Sequence, residues 1–436
     1  MTLAPDDRPL HAVPIPDRPP PTFRGRLRIL SFNTTFLLYL VFAHSFQLSF
    51  VPFLILSILC SFTSAEPVRT VKRVSREVFR LGIKWTKEIF ASILIGLVRF
   101  FGTSKLVFTA DSREELDRLV LRDEKGRVTG FRIDKYAVWM SNHQCYVDWI
   151  MIWLVLAFGN VSEGIVIIIK ASLRWAPLVG PAMQMFRFIF ISRQKPLSQS
   201  TMYETARDSI ERQDPFQLVI YPEGTLYSRL TRPKSKAFAQ ARNIKDMEYT
   251  LLPRSTGLLY TLRLLSTLFP TSSVRDSDTE KSSSNEPELK LYDLTLGYSG
   301  VEPSTYAQSH YTLQTIFGLG IAPPTVHMHI STLAISSIPI GDVRASARQN
   351  HIETEITKEE RDTFECWLFE RWQEKDDRMG RFKADGRGFV EEEIKAGGRV
   401  EFEIELRAED WVRLTSVPIG LTLFWYAIAY VGRALL

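Results

Sequence analysis

The sequence predicts an α/β fold: a mixed sheet flanked by helices, with its site off the strand ends, plus N-terminal membrane helices and a C-terminal hydrophobic helix. Three observations point there. Short apolar runs at residues 136–140, 186–191 and 216–221 each lead into polar residues: His143, Arg193, and Glu223 with Thr225. Helix-spaced segments such as 198–213 alternate with these runs, as strands alternate with the helices that connect them. Two stretches without Asp, Glu, Lys or Arg, residues 29–65 and 414–432, lie towards the two ends and are long enough to enter a bilayer.

Composition narrows the class. The 436 residues suffice for one large domain or two ordinary ones. Hydrophobic residues make up 45% and aromatics 12%, which allows both a sizeable core and membrane contact. The net charge is +5 and the pI about 9.0. The cations do not form a stripe interleaved with aromatics, so a nucleic-acid partner is not expected; an anionic membrane surface or substrate accounts for the excess. Cys60, Cys145 and Cys366 stand far apart with no CxxC, so no disulfide framework is expected and a reducing compartment fits.

Residues 1–28 hold seven prolines before Thr22 and read as a disordered tail. Residues 29–101 read as a membrane-embedded helical hairpin followed by an interfacial helix. The hairpin, or a helix pair dipping into one leaflet, would lie within 29–65, where Asn33, His44, Gln47 and Pro52 interrupt the apolar run. Basic flanks, Arg24, Arg26 and Arg28 before and Arg69, Lys72, Arg73, Arg76 and Arg80 after, favour both ends on one side. One long tilted span is the alternative. The interfacial helix would be 89–98, too short to cross.

A globular domain is expected over 102–385, with further strands at 106–110, 130–133, 164–170, 289–299 and 325–335 and an amphipathic helix at 359–376. The Ser-, Asp- and Glu-rich segment 270–288 reads as a surface insertion. Residues 386–413 would be a connector and 414–436 a C-terminal membrane helix, with Pro418 and Gly420 leaving a re-entrant or interfacial course open. The run 228–245 carries Arg229, Arg232, Lys234, Lys236, Arg242 and Lys245; a solvated basic face is the plain reading, and membrane or phosphate contact is the other. His327 and His329 share a strand face without a third ligand at metal spacing, so a structural role is expected and no metal.

The chemistry is concentrated around residues 139–149. His143 follows a strand end, and Asp148 lies five residues on, at the start of an apolar helix. A carboxylate in the next turn can accept from one imidazole nitrogen, fixing the tautomer so that the other can take a proton. No Ser nucleophile in a Gly-x-Ser-x-Gly elbow accompanies the pair, which disfavours a lipid hydrolase.

Four segments, in order, resemble the motifs of the glycerolipid acyltransferase superfamily. They are Asn142-His143-Gln144-Cys145-Tyr146-Val147-Asp148-Trp149; Phe188-Ile189-Phe190-Ile191-Ser192-Arg193 with Lys170, Leu173, Pro177 and Gly180 upstream; Tyr221-Pro222-Glu223-Gly224-Thr225; and Leu252-Pro253-Arg254-Ser255-Thr256-Gly257. Asn-His-Gln followed by Asp-Trp, and Pro-Arg-Ser-Thr-Gly, are most similar to the lysophosphatidic acid and lysocardiolipin acyltransferase branch. Trp367-Leu368, Lys375-Asp376 and Phe382 resemble that branch's later run.

The resemblance implies transfer of an acyl chain from acyl-CoA, a co-substrate rather than a cofactor, to a lysophospholipid hydroxyl. Lysophosphatidic acid is the first acceptor it suggests. It makes His143 the base and Asp148 its orienting partner. Asn142, Lys170, Arg193, Glu223, Gly224, Thr225 and Pro253 become substrate-site residues. Arg193 would pair with the acceptor phosphate, and Glu223 would orient Arg193 or another cation. Cys145 could carry the acyl chain, but direct attack by the hydroxyl makes that unnecessary. The lipid bilayer is the expected environment, the endoplasmic reticulum its expected site, and no obligate protein partner is implied. A CoA-independent transacylase and a non-catalytic membrane scaffold are the competing readings.

Overall fold

The structure, a computed structural model, describes residues 8–62, 65–102, 104–191, 199–269, 288–343, 356–385, 388–389 and 398–435. Its strands are β1 (Lys105–Ala110), β2 (Val120–Arg122), β3 (Val128–Phe131), β4 (Tyr136–Ser141), β5 (Ile165–Lys170), β6 (Ile189–Ile191), β7 (Phe216–Ile220), β8 (Leu289–Tyr298), β9 (Thr325–Ala334) and β10 (Val400–Phe402). The helices are α1 (Phe23–Leu48), α2 (Val51–Leu59), α3 (Glu66–Phe101), α4 (Arg113–Leu119), α5 (Asp148–Phe158), α6 (Val179–Met185), α7 (Gln199–Glu211), α8 (Arg232–Arg242), α9 (Ser255–Ser266), α10 (Ala307–His310), α11 (Lys358–Asp385) and α12 (Ala408–Leu435).

Eight strands form one mixed sheet in the order β10-β1-β9-β8-β4-β7-β5-β6, and β2 and β3 pair separately. β4 is central and every residue of it is buried, as expected of a strand covered on both faces. It runs parallel to β7 and β8, and β5 runs parallel to β7 and β6. All five therefore end at the same sheet edge, beyond which lie His143, Glu223 and Lys170. β9 reverses against β8, and β10 lies antiparallel to β1 at the far edge. The apolar core on one face joins α3 and α5 to Trp139, Tyr292 and Leu296. On the other face α7, α9 and α11 cover Val138, Leu218 and Leu291.

The N-terminal region departs from expectation in three ways. Residues 23–59 form one long passage, α1 and α2, rather than two short passes. Pro52 sits in the first turn of α2, where its missing N–H costs nothing, so α1 and α2 meet at a short break around Ser49 and Phe50. The reversal comes between α2 and α3. The Phe32 and Phe101 rings lie 5.7 Å apart, and a Cβ on Gly82 would fall 2.4 Å from the Phe50 ring, so α3 runs back along α1. Phe23–Phe62 is long and apolar enough to cross a membrane by length and composition.

Residues 89–98 do not form an interfacial helix. They belong to the second half of α3, and Ile89, Leu94, Ile95 and Val98 are buried in the core. An apolar run this short buries more surface against a protein than against a lipid face.

The tail is seated from Arg8 onward rather than disordered. Val13 is buried; Arg18 Nε donates to Val13 O (2.7 Å) and its Nη2 to His310 O (2.8 Å). Proline-rich chain lacks donors, so it can pack on a surface when an Arg supplies them.

At the other end, α12 begins at Ala408, earlier than expected. Ser92 Oγ donates to Asp410 Oδ1 (2.7 Å) and Arg413 pairs with Glu88 (2.9 Å), tying α12 to α3.

Candidate active site

β4 delivers His143 to the sheet edge. The side chain of Asn142 continues the β4–β8 ladder beyond its last backbone pair: Nδ2 donates to Leu296 O (3.0 Å) and Leu296 N donates to Oδ1 (2.7 Å). Asn142 is fully buried, so this amide fixes where the strand stops and is committed to the fold rather than presented to a ligand.

Asp148 is the first residue of α5, where a carboxylate is favoured by the helix dipole. It is fully buried and gathers donors from four residues. Its Oδ2 accepts from His143 Nδ1 (2.8 Å), Gln144 N (2.7 Å) and Cys145 N (3.0 Å), and its Oδ1 accepts from the Tyr298 hydroxyl.

His143 Nδ1 thus carries its proton towards Asp148, leaving the Nε2 lone pair available. Among the described residues Nε2 has no hydrogen-bond partner, and the side chain is 20% exposed. The Tyr221 ring stacks on the imidazole at 4.2 Å, and Tyr227 N donates to His143 O (2.8 Å). The His143 loop is therefore held from both strand ends, β4 and β7.

Glu223 lies beneath this loop, 2% exposed. Its Oε1 accepts from the indole Nε1 of Trp372 on α11 (3.3 Å). Burial pushes its carboxyl well above the usual range, against the pull of Trp372 and the amides of His143 and Leu251. Arg193, the residue expected to face Glu223, lies outside the described residues.

Gly224 has φ +69°, in the left-handed region that glycine tolerates. A Cβ there would meet the Arg254 side chain at 3.6 Å. Thr225 is exposed beside it, and Lys170 is exposed at the end of β5, two strands from β4. Pro253 lies two residues before α9. Leu252, preceding a proline, is biased towards extended backbone, and Arg254 N donates to Pro222 O (2.9 Å).

Cys145 is fully buried, its Sγ–H donates to Tyr311 O (3.3 Å), and burial together with the Asp148 charge pushes its thiol far up. A neutral, sealed thiol is a poor nucleophile.

Sequence reasoning missed several residues. Tyr298 lies 150 positions from Asp148, and nothing local reveals the contact. Asp376 accepts from Glu248 N (2.8 Å), Tyr249 N (2.7 Å), Thr250 N (2.7 Å) and Thr250 Oγ1 (2.9 Å). That turn in turn accepts Gln144 Nε2 at Tyr249 O (3.1 Å). Trp372 and Asp376, one helical turn apart on α11, thus brace the loops around His143. The Lys375-Asp376 dipeptide was visible in the sequence as a pattern, without this role.

His327 and His329 lie away from His143. His329 bonds Thr109 and Asp111, and His327 bonds Thr325 beside Phe382 and Phe389.

Comparison with known proteins adds an independent line. Residues 122–272 match the family model described as Acyltransferase. The chain is 27% identical to 2-acyl-1-lysophosphatidylinositol acyltransferase of Saccharomyces cerevisiae, over 79% of this chain and 85% of the relative. It is 27% identical to lysocardiolipin acyltransferase 1 of Danio rerio, over 58% and 54%. It is 26% identical to a probable 1-acyl-sn-glycerol-3-phosphate acyltransferase of Arabidopsis thaliana, over 68% and 66%. Trp372 and Asp376 fall outside the segment matched by the family model.

Proposed function

We propose that the chain, whose motifs and relatives point to the glycerolipid acyltransferase superfamily, transfers an acyl chain from acyl-CoA to the free hydroxyl of a lysophospholipid at a membrane. The observation that carries this reading is the His143–Asp148 pair: a sealed carboxylate on Nδ1 (2.8 Å) and an Nε2 at the sheet edge without a partner among the described residues. His143 Nε2 takes the hydroxyl proton as the oxygen attacks the thioester carbonyl. The new ester C–O bond forms, the C–S bond breaks, and the imidazolium returns the proton to the departing CoA thiolate. Asp148 holds the ring and stabilises its charged form, so the base is oriented before substrate arrives. Arg193, which follows β6, is assigned the acceptor phosphate, because its fork of donors matches a phosphate bidentately. Lys170, Gly224, Thr225 and Pro253 are placed around the same substrates.

Lysophosphatidic acid is the acceptor proposed from the motifs. Lysophosphatidylinositol and lysocardiolipin come next, from the names of relatives. Membrane residence rests on the apolar, largely exposed passage Phe23–Phe62, which carries no Asp, Glu, Lys or Arg from residue 29 on, with α12 beside it; the endoplasmic reticulum is the proposed membrane.

The test is purified full-length protein with each of these three acceptors and one saturated and one unsaturated acyl-CoA. One CoA thiol should appear per ester formed, with the highest kcat/KM on one acceptor. Ester formation at an equal rate without acyl-CoA would make the protein a transacylase. Absence of turnover on every acceptor would return it to the scaffold reading.

A further inference from the structure

α8 poses a physical problem. It is an 11-residue helix, and Ala239 is its one buried residue. Isolated helices shorter than about 12–15 residues are marginal in water, and most helices in proteins are held by packing an apolar face. Here the base is anchored and the body is not. Arg232 pairs with Asp246 (2.7 Å) and donates to Glu248 O (3.2 Å), and Asn243 closes the helix in the left-handed conformation at φ 51°. Lys234, Ala237, Phe238 and Ala241 recur at the i, i+3, i+4, i+7 spacing of one helix face, opposite Ala239, and all four are exposed.

The surroundings of that face are consistent in charge. Between Glu223 and Asp246 the chain holds six Lys and Arg residues and no Asp or Glu. Among the described residues, Arg229, Lys234, Lys236, Arg242 and Lys245 make no ion pair, and Arg242 lies over the Phe238 ring at 5.1 Å. Interspersed with them are Leu230, 79% exposed, Phe238, 50%, and Ile244, 39%. A solvated basic face has no use for three exposed apolar side chains. The polyphosphate of a soluble nucleotide would meet the cations but not the apolar groups. A bilayer surface takes both: headgroups meet the cations, while the aromatic and aliphatic groups enter the interface.

We infer that the outward face of α8 is a docking surface for the anionic face of a membrane, holding the mouth of the active site against it. The inference rests on the proposed action on a lipid acceptor. α8 starts five residues after Tyr227, whose amide bonds the His143 carbonyl, so the helix stands at the rim of the site that acceptor must reach.

The test uses the full-length chain reconstituted in phosphatidylcholine vesicles, with or without about 30% phosphatidylserine. An environment-sensitive dye is placed at Ala241→Cys in a Cys60→Ser, Cys366→Ser background. Its emission should shift to the blue only in the phosphatidylserine vesicles, and the shift should vanish in about 0.5 M salt. Combining Lys234→Gln, Lys236→Gln and Lys245→Gln should abolish the shift and lower turnover of vesicle-embedded acceptor by roughly 5-fold or more, since each cation near an anionic surface contributes about that factor. In detergent the same variant should keep wild-type KM values for both substrates. Equal dye emission in both vesicle types would overturn the inference. So would a raised acyl-CoA KM in detergent, which would assign the cations to the CoA phosphates. The dye signal does not depend on turnover. Loss of all wild-type turnover with the blue shift intact would therefore indict the proposed function, and intact turnover without the shift would indict the surface.

Discussion

Two histidine–carboxylate pairs sit on this sheet at nearly equal distances, and they are built in opposite senses. His143 meets Asp148 at 2.8 Å and His329 meets Asp111 at 3.0 Å. In the first pair the carboxylate is fully buried and the imidazole side chain is 20% exposed; in the second the imidazole is 1% exposed and the carboxylate 50%. His143 commits one nitrogen. His329 commits both, Nδ1 to Thr109 Oγ1 (2.9 Å) and Nε2 to Asp111. Burial pushes Asp111 up, but the hydrogen bond from His329 and the nearby Arg378 charge work against it, and its carboxyl is held at about 2. The difference teaches that a His–Asp contact is not in itself a catalytic feature. A base needs a sealed partner and an open nitrogen, whereas His329 has an open partner and a sealed ring, which suits a strut between β1, β9 and α11.

Asp148→Asn should break the first pair most severely. The amide oxygen could take the place of Oδ2, but a neutral amide no longer stabilises the imidazolium formed when His143 takes the proton, and its NH2 would face the Tyr298 hydroxyl where Oδ1 accepted, so kcat should fall on the order of 1,000-fold at saturating substrates. Asp111→Asn should leave kcat within about threefold. Similar losses in both would erase the distinction.

His327, beside the second pair, sharpens the claim that this cluster is structural. Burial, with the charge of Arg399 behind it, lowers its pKa to about 4. The unfolded chain takes up a proton near pH 6.5, while the folded chain resists until about 4. Stability should therefore be lost as pH falls through that window, by up to roughly 3 kcal/mol at about 1.4 kcal/mol per unit. Melting curves of the wild type and His327→Gln between pH 7 and 4 would show it, with the variant losing less. Parallel curves would remove His327 from the ledger of acid sensitivity.

Tyr298→Phe takes one of the four donors from Asp148 without touching the imidazole. A hydrogen bond to a charged group contributes about 1.5–3 kcal/mol, so kcat should drop roughly 10-fold with both KM values nearly unchanged. Wild-type kcat would show that the two amides and His143 suffice.

The smallest effect is expected at Cys145. Cys145→Ser keeps a donor for Tyr311 O and should retain activity within about threefold, with no acyl-enzyme in mass spectra when acyl-CoA is supplied alone. A trapped thioester there would shift the chemistry from His143 as a direct base to a covalent route.

The first pair was legible in the sequence because its two members lie on consecutive elements. A buried parallel strand leaves an apolar run, a polar residue marks its end, and the next helix starts at Asp148, five residues after His143. For the same reason β5 and β7 were found with nearly the right bounds. The second pair was not legible, because Asp111 and His329 are 218 positions apart and only the parallel register of β1 against β9 joins them. Tyr298 and Asp376 were hidden in the same way. β10 escaped because a three-residue strand owes its pairing to backbone bonds rather than to a side-chain pattern. α4 and β2 leave no sequence signal, since their buried residues, Leu116, Leu119 and Val120, are too few to set a period. The Pro-rich tail misled in the other direction: its composition lacks core-forming residues, yet Val13 and Arg18 suffice to seat it on the 299–311 loop.

The most direct measurement places His143→Ala and His329→Ala side by side, as purified full-length proteins with saturating acyl-CoA and lysophospholipid, and with folding checked by circular dichroism. His143→Ala should lose a factor on the order of 100 or more in kcat while melting at the wild-type temperature. His329→Ala should keep kcat within about threefold yet melt lower, by the equivalent of about 1–3 kcal/mol for the buried partners it abandons. Near-normal acyl transfer by well-folded His143→Ala would contradict the account.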